Sequence, residues 1–253
     1  VITVDLPTPE ALAAASTAFT VALVGIGLLI VASAIAAATW ARSLNAWALG
    51  GVSFVLSQTA QVVALFLLGP LVAAFASAPL QEASRAVILS TAARRVRGER
   101  PSASFGLGHG AIDLLTASLI PTLSAVVILG GIGDGSIFVG LNAEVTDKVH
   151  AVAIFLVSQT VLSAALLIAQ GGLMLGLHVL LTGMVLRAVV RGGGRRAVGR
   201  GLLLPIAVHT PVAVVRTLFP MYTTPVLLAA LAVAALVHRR AQSAMAQAPA
   251  ESR

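Results

Sequence analysis

Long apolar runs alternate along this chain with short polar breaks rich in arginine. A bilayer core takes about 20 apolar residues of helix. Runs of about that length occupy 17–39, 47–68, 71–93, 104–129, 165–189 and 202–218, and a shorter one follows at 224–237. They are continuous. The ten-residue alternation of a transmembrane barrel is absent, so the pattern predicts helices. Gly69-Pro70 separates the second run from the third, because proline lacks an amide donor and clashes with the turn before it. Residues 144–162 differ: Glu144, Asp147 and Lys148 open a half-polar stretch that reads as an interfacial helix. The expectation is an all-α polytopic membrane bundle of about seven transmembrane helices plus one interfacial helix.

Composition agrees. The chain is 58% hydrophobic and 10% charged, where a soluble domain carries about 25% charge. No cysteine is present, which excludes disulfides and thiolate metal sites. The net charge of +7 raises the question of nucleic acid, and its distribution answers it. Arg94, Arg95, Arg97 and Arg100 close the third run, Arg187 to Arg200 the fifth, and Arg239 and Arg240 the seventh. Arginines in short loops beside apolar runs mark cytoplasmic ends, and no aromatics interleave them for stacking on bases. The expected partners are therefore membrane lipids and a membrane-embedded peptide or protein substrate, with no nucleic acid. The basic loops place the protein in the cell membrane with its N-terminus outside and its C-terminus cytoplasmic. Residues 1–16, with Asp5 and Glu10 and no basic residue, read as an outer segment unlike a signal-peptide start. Residues 17–240 form the bundle and 241–253 a short polar, disordered tail.

Ionisable residues inside the runs change the picture from architecture to chemistry. Glu82, Arg85, His109, Asp113, His178, His209 and Arg216 all fall within apolar segments, where charge is costly and usually functional. Glu82 precedes Arg94 by twelve residues, roughly 18 Å of helix. His109 lies roughly 10 Å into its run, and His178 and His209 each roughly 13 Å from the nearest basic loop. Four polar groups from four helices thus share one slab, and convergence on a water-accessible cavity follows, since isolated they would each cost several kcal/mol. Glu82 and Arg85 are i,i+3 neighbours, and His109 and Asp113 are i,i+4, so each pair shares a face. Asp113 is placed to hold the His109 ring. Arg216, nearer the outer edge, is expected to snorkel toward water. His238, at a span end, is expected to be solvated.

At these residues the chain resembles the YhfC family of intramembrane metallopeptidases, part of a larger group with the CAAX-processing proteases, PrsW and the Aph-1 subunit of γ-secretase. Gln81-Glu82-Ala83-Ser84-Arg85 resembles the family's Glu-Glu-x-x-Arg helix. Phe105-Gly106-Leu107-Gly108-His109-Gly110-Ala111-Ile112-Asp113 resembles its Gly-x-Gly-His-Gly-x-x-Glu block. Leu177-His178-Val179 and Val208-His209-Thr210 resemble its two single-histidine helices. The resemblance implies peptide hydrolysis within the membrane. Glu82, Arg85 and His109 would be catalytic, with Glu82 as the base. His109, His178 and His209, with Glu82 as a further ligand, would bind a divalent metal, zinc being the ion such donors favour. Gln81 and Asp113 would support them. A metal-free glutamate mechanism fits the same residues. Gln81 stands where the family has a first glutamate and cannot act as a base. Asp113 is one methylene shorter than the family's residue.

Other readings compete. A non-catalytic scaffold like Aph-1 is favoured by Gln81. A proton- or metal-coupled transporter is suggested by intramembrane His and Glu, though paired broken-helix repeats are missing. Gly106, Gly108 and Gly110 read as close-packing positions. With Ala111 they also spell a dinucleotide fingerprint, which has no strand before it and is discounted. Gly131-Ile132-Gly133-Asp134 fails as an aspartyl-protease motif, because Asp134 lies at the edge opposite Asp113. Gln58 and Gln61 read as polar glue between helices.

Overall fold

A computed structural model describes residues 7–191 and 195–247. It is all-helical among those residues: α1 (Pro9–Thr39), α2 (Leu44–Ser90), α3 (Glu99–Leu114), α4 (Ile120–Gly133), α5 (Ala143–Val157), α6 (Val161–Arg191), α7 (Arg195–Leu218) and α8 (Thr223–Gln247). Among the described residues, six apolar helical stretches are long enough to cross a membrane. One of them, α2, runs 47 residues and is two helices in sequence: Gly69 breaks it at φ 82°, ψ 171°. No neighbour lies within 4 Å of a Cβ built at Gly69. The glycine is there for its backbone angle and not for packing. Pro70 fixes the break from the other side. Counted as two, α2 restores the expected seven crossings.

The segment expected at the interface is α5. At 15 residues it extends about 22 Å, short of a bilayer core of about 30 Å. The Asn142 side chain caps it by accepting from the Val145 amide at 3.0 Å. The span after it starts at Val161, a little earlier than the hydropathy suggests. Thr160 and Ser163 cap it reciprocally: the Thr160 amide donates to Ser163 Oγ at 2.7 Å and the Ser163 amide to Thr160 Oγ1 at 3.2 Å.

Two expected boundaries shift. The outer segment 1–16 is helical from Pro9, because Thr8 is an N-cap: its Oγ1 accepts from the Ala11 amide at 3.2 Å. Thr8-Pro9-Glu10 is a helix start in which proline takes the first position and an acid the first turn. The tail is helical to Gln247, as expected of an alanine- and glutamine-rich stretch; residues 248–253 lie outside the described residues.

Contacts divide the chain into two compact units. The first comprises residues up to Ile30 with Leu114–Gly171. Its core is apolar: Ala15, Ala125, Leu129 and Leu156, flanked by Leu12, Phe19 and Ile128. A π-turn at Leu115–Leu119 leads into α4. It widens the backbone just before Pro121, whose ring would otherwise meet the Ala117 carbonyl.

The second unit comprises Val31–Asp113 and Gly172 onward, and it contains every residue of the candidate site. Within it α7 packs on α2 and α8. Met174, Leu177 and Leu181 of α6 meet Val208 and Val212 of α7 and Leu227 and Ala234 of α8. Glycines bring α3 in to backbone contact. A Cβ on Gly108 would lie 1.8 Å from the Trp47 carbonyl oxygen, and one on Gly106 2.6 Å from Val179 Cα. Apolar groups gain little by leaving lipid, so such close approach supplies van der Waals cohesion.

Candidate active site

Each polar side chain is set by its place on a helix. Glu82 and Arg85 lie one turn apart on the second half of α2, so the guanidinium folds back onto the carboxylate: Arg85 Nη1 donates to Glu82 Oε1 at 2.5 Å. From α7, His209 Nδ1 donates to the same oxygen at 2.7 Å. From α6, His178 accepts at Nδ1 from Arg85 Nη2. An arginine has no acceptor, so His178 Nδ1 is unprotonated and the ring is the neutral Nε2–H tautomer. That proton points to Asp113 Oδ2 at 3.3 Å. Arg216 Nη1 donates to the same Asp113 oxygen at 2.8 Å.

His109 stands beside this chain of charges without joining it. The Ser53 hydroxyl lies 2.7 Å from its Nδ1, and Gln81 Oε1 lies 3.2 Å from its Nε2. Since that oxygen only accepts, Nε2–H donates to it, and Nδ1 shares the single Ser53 hydroxyl proton with the Gly50 carbonyl oxygen, 2.8 Å from Ser53 Oγ. Gln81 continues to Ser77 at 3.3 Å, and Ser77 donates to Gln61 at 3.2 Å across the α2 break. The rings still form one cluster. His109 and His178 have centroids 5.0 Å apart, and His178 and His209 5.5 Å apart. Gly110 makes room, since a Cβ there would come 2.9 Å from His178 Cδ2.

Glu82, Arg85, His109, His178, His209, Gln81 and Asp113 are therefore brought together from four helices. Three details differ from the sequence reading. Asp113 holds His178 and not His109, because Ser53 on α2 occupies the His109 nitrogen first. Arg216 does not reach for water. It is 26% exposed and folds inward onto Asp113, whose buried charge is the stronger attraction. The cluster is also sealed: Glu82, Arg85, His109 and His178 are all 0% exposed. Apart from Glu82 Oε2 and Arg85 Nε, the polar atoms of these groups satisfy one another directly, so they pack as a polar core where a wet cavity is expected. Ser53 and Arg216 are the members that sequence reasoning leaves out. Ser53 had a signal, a small polar residue facing His109 across Gly50 and Gly108. His238 is half-buried and 3.1 Å from Arg187 Nη1 at Nδ1, where a solvated ring is expected.

Three imidazoles and a carboxylate are donor types that zinc takes. Their arrangement here does not fit one ion. Among the described residues no three His, Asp or Glu side chains are grouped to hold a metal. Both ring nitrogens of His109 and of His178 are engaged by protein groups. The Arg85 guanidinium bridges Glu82 and His178, so a fixed organic cation lies between two would-be ligands. One carboxylate atom stands apart: Glu82 Oε2 is buried with no hydrogen-bond partner.

The family model described as YhfC intramembrane metalloprotease matches residues 13–237. No curated protein and no solved structure matches the chain.

Proposed function

Starting from a chain that belongs to the YhfC intramembrane metalloprotease family, we propose a multi-pass peptidase that hydrolyses a peptide bond of a membrane-embedded substrate with Glu82 as its base. The supporting observation is the division of labour on that carboxylate. Oε1 is fixed by Arg85 and His209, and Oε2 is buried without a partner. A carboxylate pinned at one oxygen keeps the other aimed and available, which general-base work requires.

In the reaction Glu82 Oε2 takes a proton from water as the water oxygen bonds to the scissile carbonyl carbon. The negative charge that develops on the carbonyl oxygen meets the guanidinium of Arg85, whose buried Nε–H has no hydrogen-bond partner and is ordered before the reaction. Glu82 then returns the proton to the departing amine nitrogen as the C–N bond breaks. Asp113, held by Arg216, fixes the Nε2–H tautomer of His178, and the Arg85 guanidinium keeps that ring neutral. Because the network is closed, water and substrate enter by a separation of helices, a gating step of the kind that often limits turnover. The basic loops argue for a site in the cytoplasmic half, with the C-terminus inside.

A second reading draws on the same closure: Gln81 replaces a potential base and no side chain of the core is open, as suits a non-catalytic scaffold. One experiment separates the two. Purified protein in liposomes is mixed with transmembrane peptides, and products are read by mass spectrometry. The peptidase reading expects defined fragments from wild type and none from Glu82→Gln of equal thermal stability. Fragments from neither protein leave the scaffold; equal fragments from both remove Glu82 as base.

A further inference from the structure

Away from the histidine cluster, the second unit holds a cavity of about 460 Å³ between the end of α1, the start of α3, α6 and α8. Its walls are Trp40, Ala103, Val179, Leu180, Leu186 and Val190, and its mouth carries Arg97, Glu99, Arg187 and His238. Charge is confined to one end. From Arg187 inward to Val179 the lining of α6 descends about 12 Å with no ionisable residue.

We propose that this cavity binds one anionic phospholipid, its phosphate at Arg97, Arg187 and His238 and part of an acyl chain in the apolar chamber. Several observations converge. Two guanidiniums face one carboxylate, so the mouth is net positive. Arg187 Nη1 donates to His238 Nδ1 at 3.1 Å, which fixes the guanidinium at the mouth beside a neutral ring. Gly183 preserves the space there, since a Cβ on it would lie 3.4 Å from His238 Nδ1. The mouth also opens at the helix ends that bear Arg94, Arg95, Arg100, Arg196, Arg200, Arg239 and Arg240, the membrane edge to which anionic headgroups are drawn. Arg100 stacks over the Trp40 ring at 6.0 Å from its centroid, which places an interfacial aromatic at the rim. The volume lies within the range of small-molecule pockets, about 300–1,000 Å³. It is too large for a phosphate ion alone and apolar where such an ion would need donors. The proposal is independent of the chemistry at Glu82.

The test uses the full chain purified in detergent, then offered equal amounts of phosphatidylglycerol and phosphatidylcholine, with bound lipid counted by native mass spectrometry. One phosphatidylglycerol per chain is expected, preferred about tenfold over phosphatidylcholine. Arg97→Gln, at an exposed position that does not endanger folding, should lower retention about fivefold, the weight of one interfacial arginine. Ala103→Phe, which fills the chamber, should reduce retention of both lipids to background. Equal retention of the two lipids overturns the assignment. So does wild-type retention by both variants, or displacement of the lipid by a transmembrane peptide, which would make the cavity a route for substrate.

Discussion

The candidate site has two halves of different physics. On one side Glu82, Arg85, His178, His209, Asp113 and Arg216 form an unbroken run of charge-assisted contacts. On the other, His109, Ser53, Gln81, Ser77 and Gln61 form a ladder of neutral ones. Both are buried, and both are supplied by spans of the same unit. The ionic half is held by mutual need, since any member left alone is a charge without water. The neutral half is held by geometry, and each contact there contributes about 0.5–1.5 kcal/mol. The ionic half therefore carries both the proposed chemistry and the larger vulnerability, while the neutral half orients one ring.

Substitutions break this contrast in a definite order. Arg85→Leu strips the counter-charge from Glu82 and removes the donor to His178. Breaking a buried pair from one side costs about 3–5 kcal/mol, and denaturation in micelles should show it. The double variant Glu82→Leu/Arg85→Leu should be less destabilised than Arg85→Leu alone; a larger loss in the double would mean that the pair is not one electrostatic unit. Next comes Arg216→Ala, which removes the charged donor at 2.8 Å from Asp113 and should cost about 1.5–3 kcal/mol, as loss of a hydrogen bond to a charged group does. Arg216→Lys should recover part of it. If Arg216→Ala unfolds at the wild-type denaturant concentration, that arginine is a surface residue after all. Ser53→Ala should cost about 1 kcal/mol and lower the cleavage rate without abolishing it; complete loss of cleavage would move His109 into the ionic half. The smallest effect is expected at Thr182, 0% exposed with Oγ1 unpartnered. Thr182→Val removes an unsatisfied buried hydroxyl and should leave stability unchanged or raised.

The same contrast explains what could be read from sequence. Apolar run length gave the crossings, because span length is dictated by the bilayer and not by tertiary detail. The Gly69-Pro70 break and the short amphipathic α5 were legible for the same reason. Glu82 with Arg85 was legible because an i,i+3 pair is local. The partner of Asp113 was not. Helical periodicity says which residues share a face but not which neighbouring helix arrives there, so His109 looked like the partner and His178 on α6 proved to be it. Depth alone does not place Arg216, since snorkelling assumes no buried anion within reach. Openness could not be inferred at all. Polar residues at one depth are compatible with a wet cavity or with a sealed core, and only the donor and acceptor inventory of the packed side chains distinguishes them.

The most direct test of the whole account is a double-mutant cycle between Glu82 and His209, residues far apart in the chain that share one 2.7 Å contact. Glu82→Gln, His209→Phe and the double variant are compared with wild type by unfolding free energy in one detergent. Coupling of about 1–3 kcal/mol, within the range for residues of one buried network, is the predicted result. Additivity within about 0.5 kcal/mol, as for independent distant sites, would mean that the carboxylate and the imidazole do not meet, and the site described here would not exist.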